Sequence, residues 1–179
     1  MFDRADKRGV SMSSMSIVAW AGAALLLAAG AMKLRDPQPL VQASRVLGLG
    51  MSTGAVRAIC VVETVVATSA VLFGGRSAWA VVAGSYAALT AFVVLVRRHG
   101  GANASCGCFG RTATPATSSH AVVTGAYSVV AMLAAVQAAP GIARLGADQV
   151  ALAAPSALVV TGLTYSVLAV LPRLRPSQG

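Results

Sequence analysis

Cys106-Gly107-Cys108-Phe109-Gly110 is the segment of this chain whose residue types and spacing point most directly to chemistry. It follows Gly100-Gly101-Ala102-Asn103-Ala104-Ser105. Two cysteines separated by one glycine close only a small, strained disulfide ring. Strain raises the reduction potential, so such a bond accepts electrons readily from a dithiol. The flanking glycines supply the backbone angles that a tight ring needs and leave the sulfurs sterically open to an attacking thiolate. Arg97, Arg98 and Arg111 stand close in sequence and favour thiolate over thiol. Two other readings stay open. The pair is an unreactive set of thiols, or it is half of a soft-metal site completed by His99 and His120. Structural zinc pairs its cysteines across two or more intervening residues, so the one-residue spacing favours the redox reading and no metal site is expected.

Glu63 is the second feature, an acid inside an otherwise apolar run. A charge at such depth costs roughly 2.5–3.5 kcal/mol on insertion scales, so Glu63 should face a bundle interior and pair with a cation or keep its proton. Arg57 lies about 240° around a helix from it and is a poor partner. Lys33, at the end of the preceding apolar run, is the better one if the two runs form a hairpin. A plain structural role and a proton-relay or cofactor-binding role both remain open. Cys60, three residues before Glu63 and on nearly the same face, reads as a small buried hydrophobe. His120, Thr124 and Tyr127 or Ser128 recur at helical spacing; they line a polar cleft beneath the Cys loop or simply hydrogen-bond between helices. There is no phosphate-binding loop, hydrolase triad or carboxylate pair, and five acids in the whole chain leave acid–base hydrolysis little to work with.

The elements that must position these groups are membrane helices. Of the 179 residues 56% are hydrophobic and only 11% charged, with a mean hydropathy of +0.74. A soluble domain carries about 25% charged residues, so a globule of this composition would leave large apolar areas in water. Its hydrophobicity excludes disorder, and three cysteines do not make a disulfide framework. The chain reads as an all-α integral membrane protein, a compact bundle of four to five transmembrane helices. Runs of about 20 residues cross the hydrocarbon core, and five qualify: residues 13–32, 56–73, 77–96, 119–139 and 149–171. They form one domain over residues 13–171, between tails at 1–12 and 172–179. Ala21-Gly22-Ala23-Ala24 and Ala83-Gly84-Ser85 supply the small residues that let membrane helices approach closely. Residues 39–49 read equally as a short interfacial helix or a loop. The first span, with Arg4, Lys7 and Arg8 before it and Ala29-Gly30-Ala31 within it, is read as a retained helix; its length and the position of Lys33 argue against a cleaved signal.

The excess of 14 Lys+Arg over 5 Asp+Glu falls between the apolar runs. No basic stripe interleaves with aromatics, so nucleic acid is not an expected partner. With five spans, Arg4, Lys7, Arg8, Arg76 and Arg144 share one side. Lys33, Arg35, Arg45, Arg57, Arg97, Arg98, Arg111, Arg173 and Arg175 share the other. The positive-inside rule puts that second side, which carries the Cys loop, in the cytoplasm. The margin nearly vanishes if Lys33, Arg45 and Arg57 have partners inside the bundle.

Together, Ala31-Met32-Lys33-Leu34-Arg35-Asp36-Pro37, Glu63 and Cys106-Gly107-Cys108-Phe109-Gly110 resemble the MauE family of methylamine-utilisation membrane proteins, within the DoxX-like superfamily. The resemblance covers roughly residues 15–140. It implies a small bundle, typically of four spans, in a bacterial plasma membrane. It also implies thiol–disulfide redox work with a thioredoxin-like partner, supporting disulfide formation or maturation of an exported client. Cys106 and Cys108 are then the redox pair of a thiol–disulfide oxidoreductase, and Lys33 and Glu63 the polar pair within the bundle. DoxX relatives are linked to quinone-dependent sulfur oxidation, which makes a quinone the implied acceptor. Disulfide donation to exported proteins wants the Cys loop outside, and that side is expected for it despite the charge count. A non-catalytic scaffold for a maturation partner and a small transporter or metal-handling protein are the alternatives.

Overall fold

A computed structural model of the chain describes residues 14–101, 104–107 and 116–170. Within them lie six helices: α1 (Ser14–Arg35), α2 (Gln38–Val46), α3 (Thr53–Leu72), α4 (Arg76–Gly100), α5 (Ser118–Val136) and α6 (Ala147–Tyr165), the last running on into a π-helical turn over Ser166–Val170. All but α2 are long and apolar enough to cross a membrane, giving the five spans read from the sequence. The expected tails, and Cys108 with Arg111, lie outside the described residues.

Local chemistry sets the helix ends. Pro37, which has no N–H to donate, stands one residue beyond α1, after Asp36 has donated to the Met32 carbonyl at 3.1 Å, while Pro39 fits the first turn of α2, where a donor is not needed. Ser52 caps α3 by accepting the Ala55 N–H at 3.2 Å, and Thr117 caps α5 by accepting the His120 N–H at 3.2 Å. α1 and α4 run beyond their apolar stretches through Lys33–Arg35 and Arg97–Gly100. Long cationic side chains lay their stems on apolar surface and reach the headgroups, so charge marks the edge of the hydrocarbon and not the end of the helix.

α1 sits at the centre, packed against α3, α5 and α6, while α4 lies along α5 and touches α3. Small residues make this possible. Ala21 and Ala23 are fully buried, and a Cβ on Gly22 would stand 2.7 Å from the Tyr127 ring. Tyr127 in turn stacks on Tyr86 with ring centroids 5.4 Å apart, and the Tyr86 hydroxyl donates to the Gly22 carbonyl at 2.6 Å. The second small-residue cluster behaves differently from expectation. Ala83 is buried, but Gly84 faces outward with open space around it, because the helical turn carries it off the α4–α5 contact.

One end of the bundle holds the α3–α4 turn and the α5–α6 connection. There Gly74 and Gly141 meet backbone to backbone with no space for a Cβ on either. Trp79 donates its indole N–H to the Ala139 carbonyl at 3.0 Å, and Trp20 donates to the Pro140 carbonyl at 3.3 Å. The opposite end, called the loop end below, gathers the close of α1, all of α2, the start of α3, the close of α4 and the segment that leads into α5.

Candidate functional site

At the loop end, Lys33 and Glu63 meet inside the bundle with Nζ 2.6 Å from Oε2, their side chains 1% and 8% exposed. Gly30 on α1 makes this possible: a Cβ there would sit 2.7 Å from Thr64 Oγ1, so only glycine lets α3 approach so closely. The hairpin partnership read from the sequence is therefore present. Arg57 stands exposed on the outer face of α3, and Arg45 is exposed on α2. The condition under which the charge margin would vanish is met for Lys33 alone: of those three cations only Lys33 is buried. Leaving Lys33 out, the count is eight against five, still weighted toward the loop end.

Cys60 is fully buried one turn before Glu63, in a small apolar cluster with Val56 and with Leu40 and Val41 of α2. α2 thus covers this part of the bundle, its buried Leu40, Val41, Ala43 and Ser44 facing inward. Its far end is pinned through Ser44, whose Oγ accepts the Met51 N–H at 3.3 Å, and the chain turns back to α3 through Gly48 and Gly50, both at positive φ.

Beside Lys33 a cavity of about 20 Å³ is lined by Tyr86, His120, Thr124, Leu26 and Leu168 among others. That is space for about one water. A quinone ring does not fit in that cavity. His120 is buried at this cavity, whereas His99 is exposed on the last turn of α4, its Nδ1 3.0 Å from the Leu95 carbonyl. Among the described residues no group of three or more His, Cys, Asp or Glu side chains is placed to hold a metal ion. The polar stripe on α5 is spent on interhelical bonds. Thr90 donates to Thr124 Oγ1 at 2.9 Å, Tyr127 Oη and Thr164 Oγ1 are 2.9 Å apart, and Ser128 donates to the Ala83 carbonyl at 2.9 Å.

The Cys loop is closed at its neck by the Ala116 N–H donating to the Ala104 carbonyl at 2.8 Å, and by the Arg97 guanidinium on the Ser118 hydroxyl. Gly107, at φ +63°, is buried against the first turn of α2. A Cβ there would lie 2.6 Å from the Leu40 nitrogen and from the Pro39 carbonyl carbon. Further along, Val46 meets Gly100, where a Cβ would be 2.9 Å from Val46 Cγ1 and 2.7 Å from Ala104 Cβ. Gly107 thus rests on the first turn of α2, while the last residue of α4 meets the last residue of α2. Cys106 is fully buried in this arrangement. The expectation of sterically open sulfurs is thus corrected for Cys106, which joins the buried core of the bundle while Gly107 beside it rests on α2. The placement of Cys108 lies outside the described residues.

Sequence reasoning missed this seat. A cysteine-flanked glycine signals an unusual backbone angle, but nothing in a linear sequence names Pro39 and Leu40 as the surface it rests on. It also left open whether residues 39–49 were helical, and so missed that Cys60 is packed beneath α2.

No curated protein and no solved structure matches the chain significantly. One family model does, over residues 12–139. That stretch takes in Lys33, Glu63, α2 and the whole Cys loop and stops before α6. A multi-pass helical membrane protein with this ion pair and this loop belongs, by that match, to the family of methylamine utilisation protein MauE.

Proposed function

We propose that this protein is a membrane thiol–disulfide oxidoreductase whose Cys106–Cys108 disulfide is reduced by the dithiol of a thioredoxin-like partner, in support of disulfide formation or maturation of an exported client. The observation that carries the reading is the seat of Gly107. A residue at positive φ with no space for a side chain stands between two cysteines in the sequence, so the backbone next to Cys106 is seated on α2. A thiolate of the partner attacks Cys108, because Cys106 is shut in by the bundle. The S–S bond breaks, Cys106 leaves as the thiolate and takes up a proton, and a mixed disulfide joins Cys108 to the partner. The second thiol of the partner then attacks its own bridged sulfur and releases Cys108. Two electrons have moved to the pair, and the partner carries a new disulfide. Lys33 and Glu63 hold α1 and α3 together beneath this site.

The loop end faces the extracytoplasmic side of a bacterial plasma membrane in this reading, since a disulfide persists in an oxidising compartment. Trapping tests the mechanism. In Cys106→Ser the remaining Cys108 thiolate should attack the disulfide of an oxidised thioredoxin-like domain and form a mixed disulfide, one sulfur of that domain leaving as the thiolate, while Cys108→Ser should form none. No adduct in either variant, or an adduct only through Cys106, would refute it. A scaffold would tolerate loss of both cysteines with client maturation intact.

A further inference from the structure

We infer that the loop end is an arginine-walled docking surface for an acidic face of the protein that delivers the dithiol. The inference rests on the redox reading above and names the chemistry of its partner. Arg35, Arg45, Arg57, Arg97 and Arg98 are all exposed, and they come from four different helices. They flank the residues that hold the Cys loop. Arg35 stands just before the Pro39–Leu40 turn on which Gly107 rests, and Arg45 precedes Val46, which packs on Gly100. Arg97 and Arg98 lead into the loop, and Arg97 bonds its far side through Ser118. Arg57 follows Val56, which is buried in the cluster beneath α2.

Among the described residues, the acids at this end are Asp36 and the buried Glu63, which is paired with Lys33. The opposite end exposes Arg76 and Arg144 with Asp148 beside them. An outward-facing loop end with this excess runs against the positive-inside rule, so the arginines need a use other than topology. All five are arginine, not lysine, and a guanidinium fork matches a carboxylate in a two-point bond that an ammonium does not make. Carboxylates on an approaching protein would be steered to the loop and held in register over Cys108.

The test uses the full-length protein in phosphatidylcholine nanodiscs and three reductants: dithiothreitol, and two Cys-Gly-Pro-Cys peptides flanked by glutamates or by lysines. At about 20 mM salt the glutamate peptide should reduce the Cys106–Cys108 bond at least about tenfold faster than the lysine peptide, and the ratio should fall toward one at about 1 M. In the Arg45→Gln, Arg57→Gln, Arg98→Gln triple variant the ratio should fall to within about twofold, with the dithiothreitol rate unchanged. Arg97 is left in place because it holds the neck of the loop. Equal peptide rates with normal dithiothreitol reduction overturn the docking surface and leave the redox reading standing. Failure of dithiothreitol to reduce any bond between the two cysteines overturns both. A preference that disappears in phosphatidylglycerol nanodiscs, with that lipid retained by the native protein and lost by the triple variant in native mass spectrometry, assigns the arginines to anionic lipid and overturns the protein partner.

Discussion

Removing the charge of Glu63 isolates the worth of the buried ion pair. Glu63→Gln keeps the shape and hydrogen-bonding reach of the side chain but leaves Lys33, 1% exposed, beside a neutral amide. Desolvating two charges is expensive, and at 2.6 Å their attraction offsets that cost only while both are present. Breaking a buried pair from one side costs about 3–5 kcal/mol, or roughly two to four decades in the folded-to-unfolded ratio. Replacing both sides with apolar residues of similar volume is about neutral or stabilising by up to about 4 kcal/mol. The expected pattern is therefore a loss of about 3–5 kcal/mol in Glu63→Gln and again in Lys33→Met, with stability at or above the starting level in Lys33→Met/Glu63→Leu. Unfolding by SDS titration in mixed micelles reads this through the fluorescence of Trp20 and Trp79, both buried at the opposite end of the bundle. A loss of less than about 1 kcal/mol in either single variant, or a double variant that loses the sum of the two, would refute this coupling. A double variant that folds yet no longer exchanges disulfides would show that the pair serves the reaction and not only the fold.

Two further outcomes check the site and its support. Gly107→Ala should lift the loop from α2, since the left-handed conformation alone costs about 1–2 kcal/mol for a residue with a Cβ; Cys106 in the reduced protein should then react faster with N-ethylmaleimide, and an unchanged rate would refute the seat. Trp79→Phe should lose only about 0.5–1.5 kcal/mol in the same SDS titration followed through Trp20, because the Ala139 carbonyl keeps the Gly75 N–H at 3.0 Å as a second donor; a loss above about 3 kcal/mol would show that the indole does more than fill one bond.

The spans were legible because each is an apolar run near the length of the hydrocarbon core, and a lone acid within such a run had to find a cation. Lys33 followed, as the cation at the end of the neighbouring run. Where α1 and α4 end was not legible, since the apolar runs close at Lys33 and Arg97 while the helices continue to Arg35 and Gly100. The stripe of His120, Thr124, Tyr127 and Ser128 announced itself by spacing alone. Whether it lines a cleft or ties helices together depends on Thr90, Thr164 and Ala83, which come from other helices. The same limit hid the burial of Cys106. A short loop reads as exposed, and neither the core that takes in Cys106 nor the turn of α2 under Gly107, some sixty residues earlier, is written in it.

α2 and α6 explain why the two halves of the site belong to one device. Leu40 gives its backbone to Gly107 and its side chain to the cluster that holds Cys60, one turn from Glu63. Nine residues of helix therefore stand between Gly107 of the Cys loop and the cluster around Cys60, in contact with both. α6 lies beyond the matched residues 12–139, yet it is not an appendage. Thr161 donates to the Ala21 carbonyl at 3.1 Å, and Leu168, on the π-helical turn that follows, is 2% exposed and walls the cavity beside Lys33. A four-span bundle without this helix would leave α1, with its buried lysine, open on that side to lipid. The fifth helix completes the apolar shell that makes the Lys33–Glu63 charges depend on each other.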